Sequence, residues 1–323
     1  MNTLYKSVGI TKQAFHNHMN RHLRLKSEQA QLLMLIGQLR NEHPTMGLRD
    51  MYFKLQPQSM GRDAFESFCR SEGLMSLRHK NWCRTTDSSG VIRFDNELVG
   101  LAITKPNQVW QSDITYFEVQ HRFYYITFIL DAFTRRIVGH RVSRRLTTEQ
   151  TTLPALQMGI KQRAKESVNL HGLIFHSDGG GQYYDKAFLQ LTQKHQMVNS
   201  MCEFAWENGK AERINGVIKN NYLRHRGITS FEELQKEVDR SVYLYNFEKP
   251  HIKLQRKTPI EFENSYICNG QQTGGDKSAT GLRTRPAGYT ALPGCGQQTS
   301  SSNIALKLKV VKENERVKSV NLI

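Results

Sequence analysis

Val109-Trp-Gln-Ser-Asp113-Ile-Thr-Tyr116 is the segment on which the reading of this chain turns. β-Branched and aromatic residues fit a pleated, half-buried surface, so the run from Val109 to Glu118 reads as a strand. A carboxylate in the middle of such a strand is unfavourable unless something compensates it. Asp113 is therefore either paired with an arginine, or caps a neighbouring loop, or carries chemistry.

Two further runs of the same kind follow, Phe123 to Leu130 and Arg136 to Val142, split by Gln120-His-Arg122 and by Phe133-Thr-Arg135. Such spacing predicts an antiparallel meander. Beyond it the pattern predicts a helix over Thr147–Ala164, a strand over Leu173–His176, a helix near Lys186–His195, a short strand over Met197–Ser200 and a helix from about Trp206 to Leu223. Three antiparallel strands followed by alternating helix and strand is the order of a ribonuclease-H-like α/β fold with a mixed sheet. Upstream, apolar residues recur at helical spacing in Ala30, Leu32, Leu33, Leu35, Ile36 and Leu39, and again in Leu48, Met51, Tyr52 and Leu55. The expected organisation is an all-helical region over 1–84, a linker over 85–104, the α/β core over 105–263 and a mostly disordered Gly-, Ser- and Gln-rich tail over 264–323, ending in a small basic hairpin.

Within the helical region, Gly9-Ile-Thr11-Lys12 resembles the turn and N-cap of a helix-turn-helix, followed by a basic helix bearing Lys12, Arg21 and Arg24. A second such unit is expected over Gly47–Leu77, broken at Gly61-Arg62-Asp63. A generic helical bundle accounts for the same pattern. With 45 Lys and Arg against 29 Asp and Glu the chain carries a formal charge of +16. The surplus is spread along the chain, before residue 105, over 105–263 and beyond 263 alike, which favours a long surface tracking a polyanion such as DNA over a detachable basic tail. The five cysteines are scattered and odd in number, so neither a disulfide framework nor a thiolate zinc site is expected. Neither an apolar membrane span nor a signal sequence is apparent, and the expected location is the cytoplasm, on the nucleoid of a bacterium.

Two other carboxylates stand with Asp113. In Leu173-Ile-Phe-His-Ser-Asp178-Gly-Gly-Gly-Gln-Tyr183 an Asp ends a hydrophobic strand beside three glycines, a favoured metal position that a turn-forming Asp-Gly also explains. Farther on, Glu212, Asn215 and Lys219 share one face of a helix with Asn208. Taken alone that face reads as solvated charge. Two Asp on strands and a Glu on a later helix together form an all-oxygen donor set suited to a hard ion, Mg²⁺ or Mn²⁺, with two ions per site acting on a phosphodiester. Glu207 is the competing helix acid, but it lies roughly 140° around the helix from Glu212.

These residues fall in blocks that resemble a known family: Trp110-Gln-Ser-Asp-Ile-Thr-Tyr116, Leu130-Asp-Ala-Phe-Thr-Arg135 with Ile137-Val-Gly139, His176-Ser-Asp-Gly-Gly-Gly-Gln-Tyr183, Glu212 with Lys219, Tyr245-Asn-Phe-Glu-Lys-Pro-His251 and Thr258-Pro-Ile-Glu-Phe262. The chain resembles, over residues 4–263, the integrase-core transposases of bacterial insertion sequences, in particular the second-frame OrfB protein of the IS-three family. The resemblance implies a DDE triad of Asp113, Asp178 and Glu212 that cuts and joins DNA, with Lys219, and beside it Lys210 and Arg213, at the DNA. It implies a structural role for Asp131, a homo-oligomer working on element ends and target DNA, and a first-frame helper protein. The interval between Asp178 and Glu212 is shorter than the family's usual one, and the shortening falls between Met201 and Trp206. Two alternatives share these residues: a catalytically inactive relative acting as a repressor, and a structure-selective nuclease on the same fold.

Overall fold

The computed structural model describes residues 9–76 and 94–272. The hairpin expected near the C-terminus, residues 85–93 of the expected linker and the expected tail beyond residue 272 lie outside the described residues. Thr11 caps the first helix, its Oγ1 accepting the Ala14 N–H at 3.1 Å. From there Lys12–Glu42 (α1) runs unbroken. The basic stretch and the apolar repeat from Ala30 to Leu39 thus form one helix: Arg24 to Glu28 contains no Gly or Pro, and Arg24 pairs with Glu28 at 3.0 Å along the helix, an i,i+4 contact that favours continuation. Leu48–Leu55 (α2) and Arg62–Ser71 (α3) then form the helix pair expected around Gly61. Leu32, Ile36 and Leu39 of α1 close a small core over Met51, Phe65 and Cys69. Lys12, Arg21 and Arg24 lie on the exposed half of α1, before that core begins.

Val109–Val119 (β1), Arg122–Asp131 (β2) and Ile137–Ser143 (β3) make the antiparallel meander. Gln120 and His121 join the first two strands with φ of 48° and 60°, the left-handed pair that matches the twist of a two-residue hairpin. Thr152–Lys165 (α4) leads to Ile174–Ser177 (β4), Lys186–Lys194 (α5) and Val198–Met201 (β5). Helix α4 starts later than expected because Thr147 to Thr151 form a turn, in which the Thr147 carbonyl accepts from the Gln150 and Thr151 N–H groups.

The sheet order is β3-β2-β1-β4-β5, with β4 and β5 parallel to β1. A mixed sheet of this order, entered by a three-stranded meander, is ribonuclease-H-like. One face packs against α4 and α5 through Trp110, Ile129, Val138, Leu156, Phe175 and Phe188. The approach is close at Gly139, where a Cβ would collide with the Ala155 carbonyl oxygen.

Two helices cover the other face, Gly209–Asn221 (α6) and Phe231–Phe247 (α7), with Ile126, Phe128, Ile214, Ile218, Val238 and Val242 in the core between. The helix expected to begin at Trp206 is divided into a 3₁₀ turn over Ala205–Asn208 and α6 proper. Pro259–Gln272 (α8) follows. Its span corrects the expectation of disorder from residue 264: Phe262 and Tyr266 both pack on Phe133, at ring-centroid distances of 5.6 and 5.1 Å, and carry the helix past the change in composition. No helix among the described residues is long and apolar enough to cross a membrane.

The N-terminal helices dock on the core near the C-terminal end of α6. His43 Nδ1 lies 3.1 Å from the Tyr222 hydroxyl, Arg240 pairs with Glu42 at 2.6 Å, and Arg256 pairs with Asp50 at 2.7 Å. Glu248 accepts from Lys54 at 3.0 Å and lies 3.6 Å from His43, which holds its carboxyl down at about 2.

Candidate active site

Alternation along β1 sorts its side chains. Trp110 enters the core under α4, and Ser112 Oγ meets the buried Tyr183 hydroxyl at 2.9 Å. Gln111, Asp113 and Thr115 therefore face α6. That helix answers them with one stripe. Asn208 Nδ2, just before the helix, donates to the Ser112 carbonyl at 2.8 Å. Asn215 Nδ2 donates to Asp113 Oδ2 at 2.7 Å, and Lys219 Nζ donates to Thr115 Oγ1 at 2.9 Å and to the Tyr116 carbonyl at 3.3 Å. Glu212 lies on the same stripe between Asn208 and Asn215, exposed in the first turn of α6.

Asp178 arrives from the neighbouring strand. Parallel pairing sets Ser112 opposite Ser177, so Asp113 and Asp178 are the next residues on adjacent chains. Asp178 Oδ1 accepts the Gly180 N–H at 3.2 Å. None of Gly179, Gly180 and Gly181 has positive φ; two of them matter for space. A Cβ on Gly179 would come within 2.8 Å of the Met201 methyl, and one on Gly180 within 3.1 Å of Asp178 Oδ1.

The electrostatics tie these acids together. Burial, then the negative charge of Asp178, and more weakly that of Glu212, push the Asp113 carboxyl up to about 7, against the hydrogen bonds from Ile114 N–H and Asn215. Burial also raises Asp178. Among the described residues, no group of three or more His, Cys, Asp and Glu side chains converges closely enough to hold a metal ion. The structure thus brings the two aspartates side by side and places Glu212 over them at a distance.

Two neighbours of the site, Cys202 and His176, have no functional reading in the sequence. Cys202, in the short loop after β5, has its thiol pushed up to about 12 by burial and by Asp178, Glu207 and Asp113, so it stays protonated. His176 is fully buried, with Nδ1 2.9 Å from Ser200 Oγ, and burial holds it neutral down to about 4. Glu207 is occupied elsewhere: its Oε2 accepts the Glu203 and Phe204 N–H groups at 2.7 and 3.1 Å. Lys219 is half-buried, its proton affinity lowered by burial and Arg224 though supported by Asp113. Arg213 is exposed and Lys210 half-buried, both on the far side of α6.

Asp131 stands apart from this cluster. Completely buried, it accepts N–H groups from Asn107, Phe133 and Thr134 at 2.6 to 2.9 Å and shapes the turn into β3. Arg163 lies 3.9 Å away.

Two models of the integrase core domain match consecutive stretches, residues 103–205 and 195–259. The insertion element IS600 uncharacterized 31 kDa protein of Shigella sonnei is 26% identical over 80% of this chain and 96% of its own length. The transposase for insertion sequence element IS629, also of Shigella sonnei, is 27% identical over 70% of this chain and 76% of its own. Among solved structures, the HTLV-2 integrase catalytic core domain matches at 20% identity over 49% of this chain and 97% of that one, with a TM-score of 0.39. The chain thus matches the integrase core domain over residues 103–259 and is similar over most of its length to proteins of bacterial insertion elements.

Proposed function

We propose that the protein is a DDE transposase that cuts the 3′ ends of its own insertion sequence and joins the freed 3′-hydroxyl to a second phosphodiester, with Asp113, Asp178 and Glu212 as its metal-binding carboxylates. One observation carries the reading: the polar stripe of α6 is seated residue by residue along β1, which presents Asp113, Glu212, Asp178 and Lys219 on one side of the sheet.

The donor set fits Mg²⁺ or Mn²⁺. None of the three carboxylates has a lysine or arginine ion pair among the described residues, and Asp113 is raised by burial and by the charges of Asp178 and Glu212; hard oxygen donors under such repulsion are relieved by a hard divalent cation. Such ions, two per site, supply activation of an attacking hydroxyl and stabilisation of the leaving oxygen. The chain's own residues do the rest. Asn215 fixes the rotamer of Asp113, Tyr183 and Ser112 pack beneath it, and Gly179 and Gly180 let Asp178 sit against β5. Lys219, held over Thr115 at the edge of the site, offers its ammonium to a phosphate of the terminal DNA. Lys12, Arg21 and Arg24 on the exposed half of α1 are proposed to bind DNA away from the core. A homo-oligomer assembled on the element ends and a first-frame helper protein complete the proposed system.

The test uses a duplex carrying the element's ends, incubated with the full-length protein. In Mg²⁺ or Mn²⁺, 3′-end cleavage and joined strands are expected. EDTA is expected to abolish both. Activity that persists in EDTA, or that zinc alone supports, refutes the proposed metal site, and cleavage that never yields joined strands identifies a nuclease.

A further inference from the structure

On the side of α6 away from Glu212 lies a small cavity of about 70 Å³. Its lining comes from four parts of the chain: Arg135 of the β2–β3 turn, Lys210 and Arg213 of α6, Tyr245 of α7, and Lys249 with His251 beyond it. At about 100° per residue, Arg213 and Lys210 stand roughly 100° and 160° around the helix from Glu212. The cavity is therefore separate from the carboxylate site.

Its charge is one-sided. The lining contains no carboxylate, and among the described residues none of Arg135, Lys210, Arg213 and Lys249 makes a salt bridge or a side-chain hydrogen bond. The cations act on one another: burial and Arg135 lower Lys210, burial and Arg213 lower Lys249, and burial with Lys249, Arg135 and Arg213 drives His251 down to about 3. The nearest acids, Asp131 beside Lys210 and Asp50 beside Lys249, weaken the repulsion without pairing. His251 Nε2 is buried with no hydrogen-bond partner. Elsewhere in the chain buried arginines are matched by carboxylates, as Arg136 and Arg163 are by Glu263 and Glu166. Unmatched cations gathered around one small cavity are the arrangement that binds a multiply coordinating oxyanion, because guanidinium forks and ammonium groups donate strong charge-assisted hydrogen bonds.

We propose that this cavity seats one phosphodiester group of a DNA segment, outside the reacting strand and on the opposite side of α6 from it. The inference rests on the DNA-transposase reading and extends it, assigning Arg135 and Lys249 to DNA and giving Lys210 and Arg213 a place distinct from that of Lys219. The size of the cavity suits a single phosphate rather than a base or a folded peptide segment.

The test measures binding of the full-length protein to a fluorescein-labelled duplex in EDTA, as a function of salt. Arg135 has a φ of 60°, which Asn tolerates, so the variant is Arg135→Asn combined with Lys249→Gln. Affinity is expected to fall about tenfold, and the slope of log affinity against log salt to lessen by about one, the loss of one phosphate contact. The melting temperature of the free protein is expected to hold or rise, since the variant relieves repulsion. Arg135 with Lys249→Arg, which keeps both charges, is expected to bind as the wild type does.

Wild-type affinity and slope in the double variant overturn the seat. So does a drop in melting temperature that accompanies the loss of binding, or failure of Lys249→Arg to bind. Inorganic phosphate that stabilises the wild type at millimolar concentration, while DNA affinity is unchanged by the double variant, also overturns it in favour of a free-anion site. Since binding is read without metal, a protein that binds through the seat yet never joins strands removes the proposed catalysis and leaves the seat standing. Strand joining with unaltered affinity in the double variant removes the seat alone.

Discussion

Two sets of three carboxylates sit in this core, and the chain treats them oppositely. Glu166 and Glu263 are interlocked with Arg136 and Arg163, with four contacts of 2.6 to 2.7 Å binding α4, α8 and the start of β3, and Asp131 lies 3.9 Å from Arg163. Asp113 and Asp178 receive amide donors, Glu212 is exposed and Lys219 lies near Asp113, with no ion pair to any of the three among the described residues. The first set shows that this fold supplies arginines where buried acids are structural. Leaving the second set unneutralised destabilises the free protein, so the compensating charge is expected from solution, together with function.

The largest effect that would break this contrast is on activity. Glu212→Gln and Asp113→Asn are each expected to reduce strand cleavage and joining to background in a gel assay, with folding retained by circular dichroism. Asp113→Asn is also expected to raise the melting temperature of the metal-free protein. Substitution in the other set goes the opposite way: Glu263→Ala leaves Arg136 and Arg163 buried without their partner and is expected to lose about 3–5 kcal/mol in chemical denaturation. A stabilising Glu263→Ala would show that the two sets are not different in kind.

The pH dependence of stability separates them too. Asp113 has its folded value raised, so the folded state holds a proton that the unfolded state has released, and stability falls as pH rises from about 4 to about 7. The contribution of this group is up to about 4 kcal/mol, and Asp113→Asn is expected to flatten that part of the profile. Mg²⁺ at pH 8 is expected to restore stability to the wild type and not to Asp113→Asn, which thermal melts would read. Glu248 has the opposite sign: its depressed carboxyl contributes stability above about pH 4 that is lost as pH falls towards about 2. The smallest expected effects are at the margins of the site. Glu207→Gln is expected to keep most activity because its oxygen caps the 3₁₀ turn, and Lys219→Gln is expected to lessen the salt slope of DNA binding by about one.

The strand-borne half of the site was legible because it is local. Alternation across β1 and the apolar run before Asp178 are patterns of adjacent residues, and the stripe Asn208, Glu212, Asn215, Lys219 is a helical period. What escaped is what long-range contacts decide. Nothing near Glu263 announces Arg136 or Arg163, and Arg135 meets Lys249 only through packing of the β2–β3 turn against the end of α7. The continuity of α1 was hidden by the polar run Lys26-Ser-Glu-Gln29, across which no apolar side chain carries the period. The helical end of α8 depends on Phe133, far away in sequence.

The seating of α6 on β1 has a consequence for length variation. Asn208, Asn215 and Lys219 grip successive points of one strand. A single inserted or deleted residue between them would turn the later teeth of this key by about 100° and shift them by about 1.5 Å, so the grip would be lost beyond the change. The far end is pinned as well, by Tyr222 against His43. Before Asn208 the chain crosses a loop from Cys202 to Phe204 that is held by Ser177 and Glu207 and not by β1. Shortening or lengthening is therefore tolerable on that side and lethal on the other, and viable relatives are expected to carry their insertions and deletions ahead of Ala205 while the interval from Asn208 to Lys219 keeps one length.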